Sequence, residues 1–246
     1  MKVVKIGIIG LGLMGKEISS AVSRWCHLPE MQFKPEICAV CDTNKDTWGW
    51  YLANFPSISQ TATDYRELLD NPEIDIIYCA VPHMLHEKVY CDIISAGKSL
   101  LGEKPFGIDK IANDSIISCI KEHPDVFFRC TSEFPFYPAV QKIGAFIEED
   151  RIGNILDVDI GLLHSSDMDP LKPINWKRRI KTNGEYGCMG DLGLHVCHMP
   201  MKAGWKIHNV RAILSDIVSL RPDPVNPDQM VDCDTWDNAT LLCETT

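Results

Sequence analysis

Apolar residues come in short, nearly unbroken runs through the first half of the chain, as in Val3 to Ile9, Ile37 to Cys41 and Ile74 to Val81. Runs of four to eight such residues predict strands of a parallel sheet covered on both faces. They place strands at 3–9, 36–42, 74–81, 99–102 and 126–130. Between them the apolar positions recur at helical spacing, which predicts helices at 14–26, 45–54, 64–70, 84–96 and 109–122. Asp64 and Asp109 stand where helix N-caps belong, and Gly97 where a helix stops. Regular alternation of strand and helix gives an α/β class with a doubly wound parallel sheet, a first domain at residues 1–128.

From residue 129 the pattern changes. Pro138 opens a segment with Val140, Ile143, Phe146 and Ile147 at helical spacing, closed by Gly153. Leu156, Val158, Ile160 and Leu162 alternate with Asp157, Asp159 and Gly161, the signature of a strand with one polar face. A helix at 190–203 and strands at 207–219 and 231–243 follow. Residues 129–246 therefore read as an α+β domain with a largely antiparallel open sheet. The last run, Ala239 to Cys243, leaves an open strand edge at the chain's end, so the sequence reads as C-terminally truncated.

Composition narrows the function classes. The formal net charge of −10 disfavours an extended nucleic-acid surface. No apolar stretch approaches the roughly 20 residues of a membrane span, and the N-terminus enters a strand without the segments of a signal peptide. The 11 cysteines are scattered and odd in number, the pattern of reduced thiols in a cytoplasmic protein. Cys38 and Cys41 fall on opposite faces of one strand, which makes them core thiols. His83 with His86, and His195 with His198, lack companion ligands at metal spacing, so no metal site is expected.

The chemistry begins at Gly10-Leu11-Gly12-Leu13-Met14-Gly15, directly behind the first strand. In this context the three glycines form a dinucleotide-binding fingerprint. Gly10 lets the chain turn, Gly12 lets a pyrophosphate approach the backbone, and Gly15 lets the next helix pack close to the sheet. The helix start offers free N–H groups and a positive dipole end to phosphate. Asp42 ends the second strand, 27 residues after Gly15, where a carboxylate accepts ribose hydroxyls and repels a 2′-phosphate. This favours NAD, with NADP left open by Lys45.

Three further segments carry a family resemblance. They are Val81-Pro82-His83-Met84-Leu85-His86, then Gly102-Glu103-Lys104-Pro105, then Asp191-Leu192-Gly193-Leu194-His195. With the glycine loop and in this order, the chain resembles the Gfo/Idh/MocA oxidoreductases from residue 3 to its end. The resemblance implies an N-terminal Rossmann domain and a substrate-binding domain whose sheet builds a homo-oligomer in the full-length protein. It implies that Val81, Pro82, His86, Glu103 and Lys104 line the cofactor and that the Lys104–Pro105 bond is cis. It further implies that Lys104 and His195 handle a substrate hydroxyl proton while Asp191 positions substrate or catalytic groups. The residues suit those roles. Asp191 and His195 are four apart on one helix face, and Lys104 follows a strand end, where ligands of open α/β sheets gather.

These observations predict an NAD(P)-dependent dehydrogenase acting on a secondary alcohol of a sugar, polyol or related small molecule. Two alternatives share the same residues: a glycosidase that uses NAD transiently, and a non-catalytic dinucleotide-sensing protein. Glu133-Phe134-Pro135 and His198 depart from the family pattern on the substrate side. The basic run Lys177-Arg178-Arg179, with Lys181, suits an anionic or phosphorylated substrate, although such a run is more often a solvated loop.

Overall fold

The apolar runs of the first half become the strands of one parallel sheet. A computed structural model describes residues 1–245. Its strands β1 (Lys2–Ile9), β2 (Phe33–Cys41), β3 (Gln60–Ala62), β4 (Ile76–Cys79), β5 (Ser99–Glu103) and β6 (Phe128–Thr131) lie in the order β3-β2-β1-β4-β5-β6, every pairing parallel. This is the doubly wound dinucleotide-binding order, with its direction of winding reversing between β1 and β4.

Both faces are buried, which is why the strands alternate so little in polarity. On one face Ile8, Ile37, Val40 and Tyr78 pack with Ile18 and Val22 of α1 (Leu13–Ser23) and Tyr51 of α2 (Trp48–Asn54). On the other, Ile9, Ile77, Cys79 and Leu100 meet Leu68 of α3 (Arg66–Leu69), Val89, Tyr90 and Ile93 of α4 (His86–Ser95) and Ile116 of α5 (Lys110–Glu122). Local chemistry sets the helix ends. The Asp109 carboxylate accepts from the Ala112 N–H at 2.8 Å. Gly97, with φ +73°, turns the chain out of α4.

The chain folds as two units, the first spanning Met1–Thr131 and the second running from Ser132 onward. The expected boundary at 128 would cut β6 at its first residue. The edge strand β3 lay outside the sequence reading because Gln60-Thr61-Ala62 has no apolar run. The first helix stops at Ser23, and a 3₁₀ turn over Trp25–His27 takes up the rest of the expected 14–26 span.

In the second unit, α6 (Pro138–Glu148), α7 (Ile180–Asn183) and α8 (Leu194–Lys202) accompany two antiparallel ladders, β7 (Ile207–Ser215) with β10 (Asn238–Thr245) and β8 (Leu220–Pro222) with β9 (Met230–Asp232). The expected strand at 207–219 is broken after Ser215, where the Asp237 carboxylate accepts the N–H groups of Ile217 (2.7 Å) and Val218 (3.0 Å). The alternating segment 156–162 is not a strand. It has no ladder partner among the described residues, and Leu156 is 95% exposed. Alternation supplies a face, but a strand also needs a neighbour to bond. Among the described residues no helix is long and apolar enough to cross a membrane.

The central strand β4 makes the fold's core testable. Ile77 is fully buried in the larger apolar cluster. Ile77→Ala should lower stability in urea melts by about 3 kcal/mol, and a loss below about 1 kcal/mol would show that this layer is loosely packed.

Candidate functional site

In open α/β sheets ligands bind where the winding reverses, here at the carboxyl ends of β1 and β4, and the glycine loop lies at that crevice position. Gly10 has φ +90°, and a Cβ there would fall 2.4 Å from the Ala80 carbonyl oxygen. A Cβ on Gly15 would fall 2.4 Å from the Gly10 carbonyl oxygen and 2.6 Å from the Tyr51 hydroxyl. Gly12 differs from both: a Cβ there meets nothing within 4 Å, so the space before it is open. It is the N-cap of α1, with no capping side chain and no acid in the first turn. Bare N–H groups, a positive dipole end and open space suit a pyrophosphate. The residues present fit the dinucleotide.

Asp42 closes the cradle. Its Oδ2 accepts the Leu11 N–H at 2.8 Å and its Oδ1 the Asn44 N–H at 2.9 Å. Each oxygen keeps a lone pair for a ribose hydroxyl. Leu11 thus serves differently from the expectation that it binds cofactor. Its side chain is buried in the core and its N–H is committed to Asp42. Leu13 and Met14 are exposed at the helix start.

Beside the crevice, the ends of β4 and β5 carry the next group of residues. Val81 and Pro82 follow β4, half-buried. Glu103 ends β5 and is buried. Its Oε1 accepts from the Tyr78 and Thr131 hydroxyls, both at 2.7 Å, and its Oε2 from the Lys104 N–H at 3.2 Å. Lys104 comes next, half-buried, with a cis bond to Pro105. His86 is not a surface residue of this crevice. It is fully buried at the start of α4, with Nδ1 2.6 Å from the Pro105 carbonyl oxygen and Nε2 2.9 Å from that of Val81. Burial pushes its pKa down to about 4 against the two carbonyl contacts, and the Lys104 charge lowers it further.

In the second unit, Asp191 and His195 are both buried. The expected helix at 190–203 is a π-helical turn, Met189–Gly193, leading into α8. Such turns concentrate at functional sites. Lys177 Nζ donates to Asp191 Oδ2 at 2.8 Å. The His195 ring stacks on Phe134 at 4.2 Å between centroids and 18° between planes. Phe134 in turn packs on Tyr137 at 4.9 Å.

Three members of the basic run are engaged within this unit instead of standing as a solvated loop. Lys177 is paired with Asp191. Arg178 donates through Nε (2.9 Å) and Nη2 (2.6 Å) to Asp167, which also accepts from Lys172 at 2.7 Å. Burial raises the Asp167 pKa, but these hydrogen bonds prevail and hold it at about 2. Arg179 Nη1 donates to the Asp232 carbonyl at 3.3 Å. Among the described residues no group of three or more His, Cys, Asp or Glu is placed to hold a metal ion.

Sequence reading missed Tyr78 and Thr131 on Glu103, Phe134 on His195, and Lys177 on Asp191. Phe134 lay in a segment already noted for departing from the pattern. No spacing rule connects Lys177 to an acid 14 positions later in an irregular stretch.

The cradle and His86 are each open to test. Gly12→Ala should melt as the parent does yet lose about tenfold or more in NAD affinity by calorimetry. Gly10→Ala should instead lower stability by more than about 2 kcal/mol. Equal melting of the two variants would contradict the geometry. For His86, the folded pKa near 4 lies below the ordinary 6.5, so the unfolded chain binds the extra proton over that interval. Its contribution is complete above pH 6.5 and is lost as pH falls towards 4, by up to about 3 kcal/mol. Urea melts across this range should show the decline in the parent and a shallower one in His86→Asn. Identical slopes would remove His86 as the source of that pH dependence.

The chain has relatives among known dehydrogenases. The chain is 26% identical over 227 residues to levoglucosan dehydrogenase of Pseudarthrobacter phenanthrenivorans, covering 90% of this chain and 56% of that protein. It is 25% identical over 222 residues to glucose-6-phosphate 3-dehydrogenase of Bacillus subtilis, covering 89% and 60%. The fold matches a levoglucosan dehydrogenase structure in complex with NADH and L-sorbose with a TM-score of 0.88 at 23% identity, over all of this chain and 64% of that one. The chain thus spans less than two thirds of the length of these relatives. The family model for the oxidoreductase family with an NAD-binding Rossmann fold matches residues 4–129, and the chain therefore belongs to the Gfo/Idh/MocA family of NAD-binding oxidoreductases.

Proposed function

We propose that this chain carries the chemistry of an NAD-dependent dehydrogenase that oxidises a secondary alcohol of a sugar, polyol or related small molecule. The observation that carries the reading is Lys104, set at the carboxyl end of β5 by a buried carboxylate, one strand over from the dinucleotide crevice. Both relatives named above are dehydrogenases named for a sugar substrate. Cytoplasmic localisation and self-association through the second unit's sheet belong to the same reading.

Oxidation of a secondary alcohol breaks one C–H and one O–H bond, giving a ketone, a hydride and a proton. When bound, NAD supplies the carbon that takes the hydride. The chain's own task is the proton. An alcohol is too weak an acid to lose it unaided near neutral pH, so a positioned base is required. The Lys104 amine, in its neutral form, accepts the hydroxyl proton and passes it on to water. His195 is the second proton carrier in this reading. Its ring is held by the face of Phe134, which fixes the plane in which its nitrogens present themselves. Asp191, fixed by the Lys177 ammonium, offers a carboxylate that accepts substrate hydroxyls and orients them.

Replacement of the lysine tests this directly. Across a panel of sugars and polyols, Lys104→Ala should lower kcat for NADH formation by about 10²–10⁴-fold while NAD affinity stays within about twofold of the parent. Full turnover in the variant would contradict the reading. Glycoside cleavage without net NADH would replace it with the transient-oxidation alternative.

A further inference from the structure

α4 reaches the backbone on both sides of Lys104. His86 and Tyr90 are four residues apart, one turn along one helix face, and both are fully buried. Their rings stack at 4.7 Å and 20°. The Tyr90 hydroxyl donates to the Glu103 carbonyl oxygen at 2.8 Å. That ring lies so close beneath β5 that a Cβ on Gly102 would fall 2.8 Å from it. His86 Nδ1 lies 2.6 Å from the Pro105 carbonyl oxygen. The carbonyls of the residue before Lys104 and of the residue after it are therefore both held from α4. The Lys104 N–H completes the fixation through Glu103, whose carboxylate is itself pinned by Tyr78 and Thr131.

His86 faces two carbonyls, yet a neutral imidazole has only one N–H to donate. Burial keeps the ring neutral down to about pH 4. The contact to Pro105 is the shorter, which is the ground for assigning the N–H to Nδ1 and the lone pair facing Val81 to Nε2.

We propose that His86 and Tyr90 are positioning residues for Lys104, fixing the Glu103–Lys104 and Pro105–Phe106 peptide groups that bracket it so that its amine has one aim, and that His86 acts as the Nδ1–H tautomer. Neither has a direct role towards substrate or dinucleotide. The functional meaning rests on the reading that Lys104 handles the substrate proton, whereas the clamp itself is a claim about geometry. The donors belong to a helix anchored in the core, which suits them to hold a strand end against thermal motion.

The test reads Lys104 without turnover. In the full chain, the rate of acetylation of Lys104 by acetic anhydride is followed against pH by peptide mass spectrometry, with the other lysines as internal controls. Tyr90→Phe removes one hydroxyl and keeps the ring. His86→Asn places an amide nitrogen where Nδ1 lay, and His86→Gln places one where Nε2 lay. Tyr90→Phe and His86→Gln should move the midpoint of the Lys104 profile by about half a pH unit or more, or change its plateau rate roughly threefold or more. His86→Asn should stay near the parent. The control lysines should not move in any variant. A Lys104 profile unchanged by Tyr90→Phe overturns the proposal, and this variant decides alone if the His86 variants do not fold. Equal displacement by Asn and Gln also overturns it, because loss of the stacked ring would then be the whole effect. A confirmed profile shift together with full turnover in Lys104→Ala would sink the dehydrogenase reading and leave the clamp standing.

Discussion

The close approach of the turn after β1 to the end of β4 is the constraint on which the rest depends. Gly10 adopts φ +90° against the Ala80 carbonyl, where a side chain has no room. This contact lies at the winding reversal of the sheet and brings the start of α1 to the crevice mouth. It also places Asp42 within reach of the Leu11 N–H, so that one carboxylate ties the β2 end to the glycine loop. The open helix start and the Asp42 carboxylate beside it are thus two products of the same close packing.

The second layer of organisation is the neighbouring pair β4 and β5. A buried carboxylate, Glu103, gathers Tyr78 from β4 and Thr131 from β6, so three adjacent strands meet at one side chain. Buried acids are costly unless their oxygens are satisfied, and the three donors here offset that cost. Lys104 emerges from this anchored point. In the second unit the same principle recurs: Asp191 is buried against the Lys177 ammonium, and His195 against an aromatic face.

Much of the first unit was legible because its strands are buried on both faces, which leaves an unbroken apolar run, and because glycines are required where backbone meets backbone. The strand order was not legible, nor was β3, a three-residue edge strand of Gln, Thr and Ala. Residues 156–162 show the limit of periodicity. Their alternation is real, but no neighbouring strand bonds to them. At the candidate site, spacing named segments without fixing the direction of each side chain. Leu11 turns into the core, and His86 turns inward to the Pro105 and Val81 carbonyls instead of outward to a ligand. The partners of the run from Lys177 to Arg179, which are Asp191, Asp167 and the Asp232 carbonyl, were not legible because they lie in other parts of the chain.

The most direct test of the central claim is a side-by-side titration of thermal stability with NAD and NADP. A ligand that binds only the folded state raises stability with the logarithm of its concentration. A rise with NAD and little or none with NADP is expected, because a carboxylate at the position of Asp42 would accept ribose hydroxyls and repel a 2′-phosphate. Cooperative melting unmoved by either dinucleotide, or a larger rise with NADP, would contradict that claim.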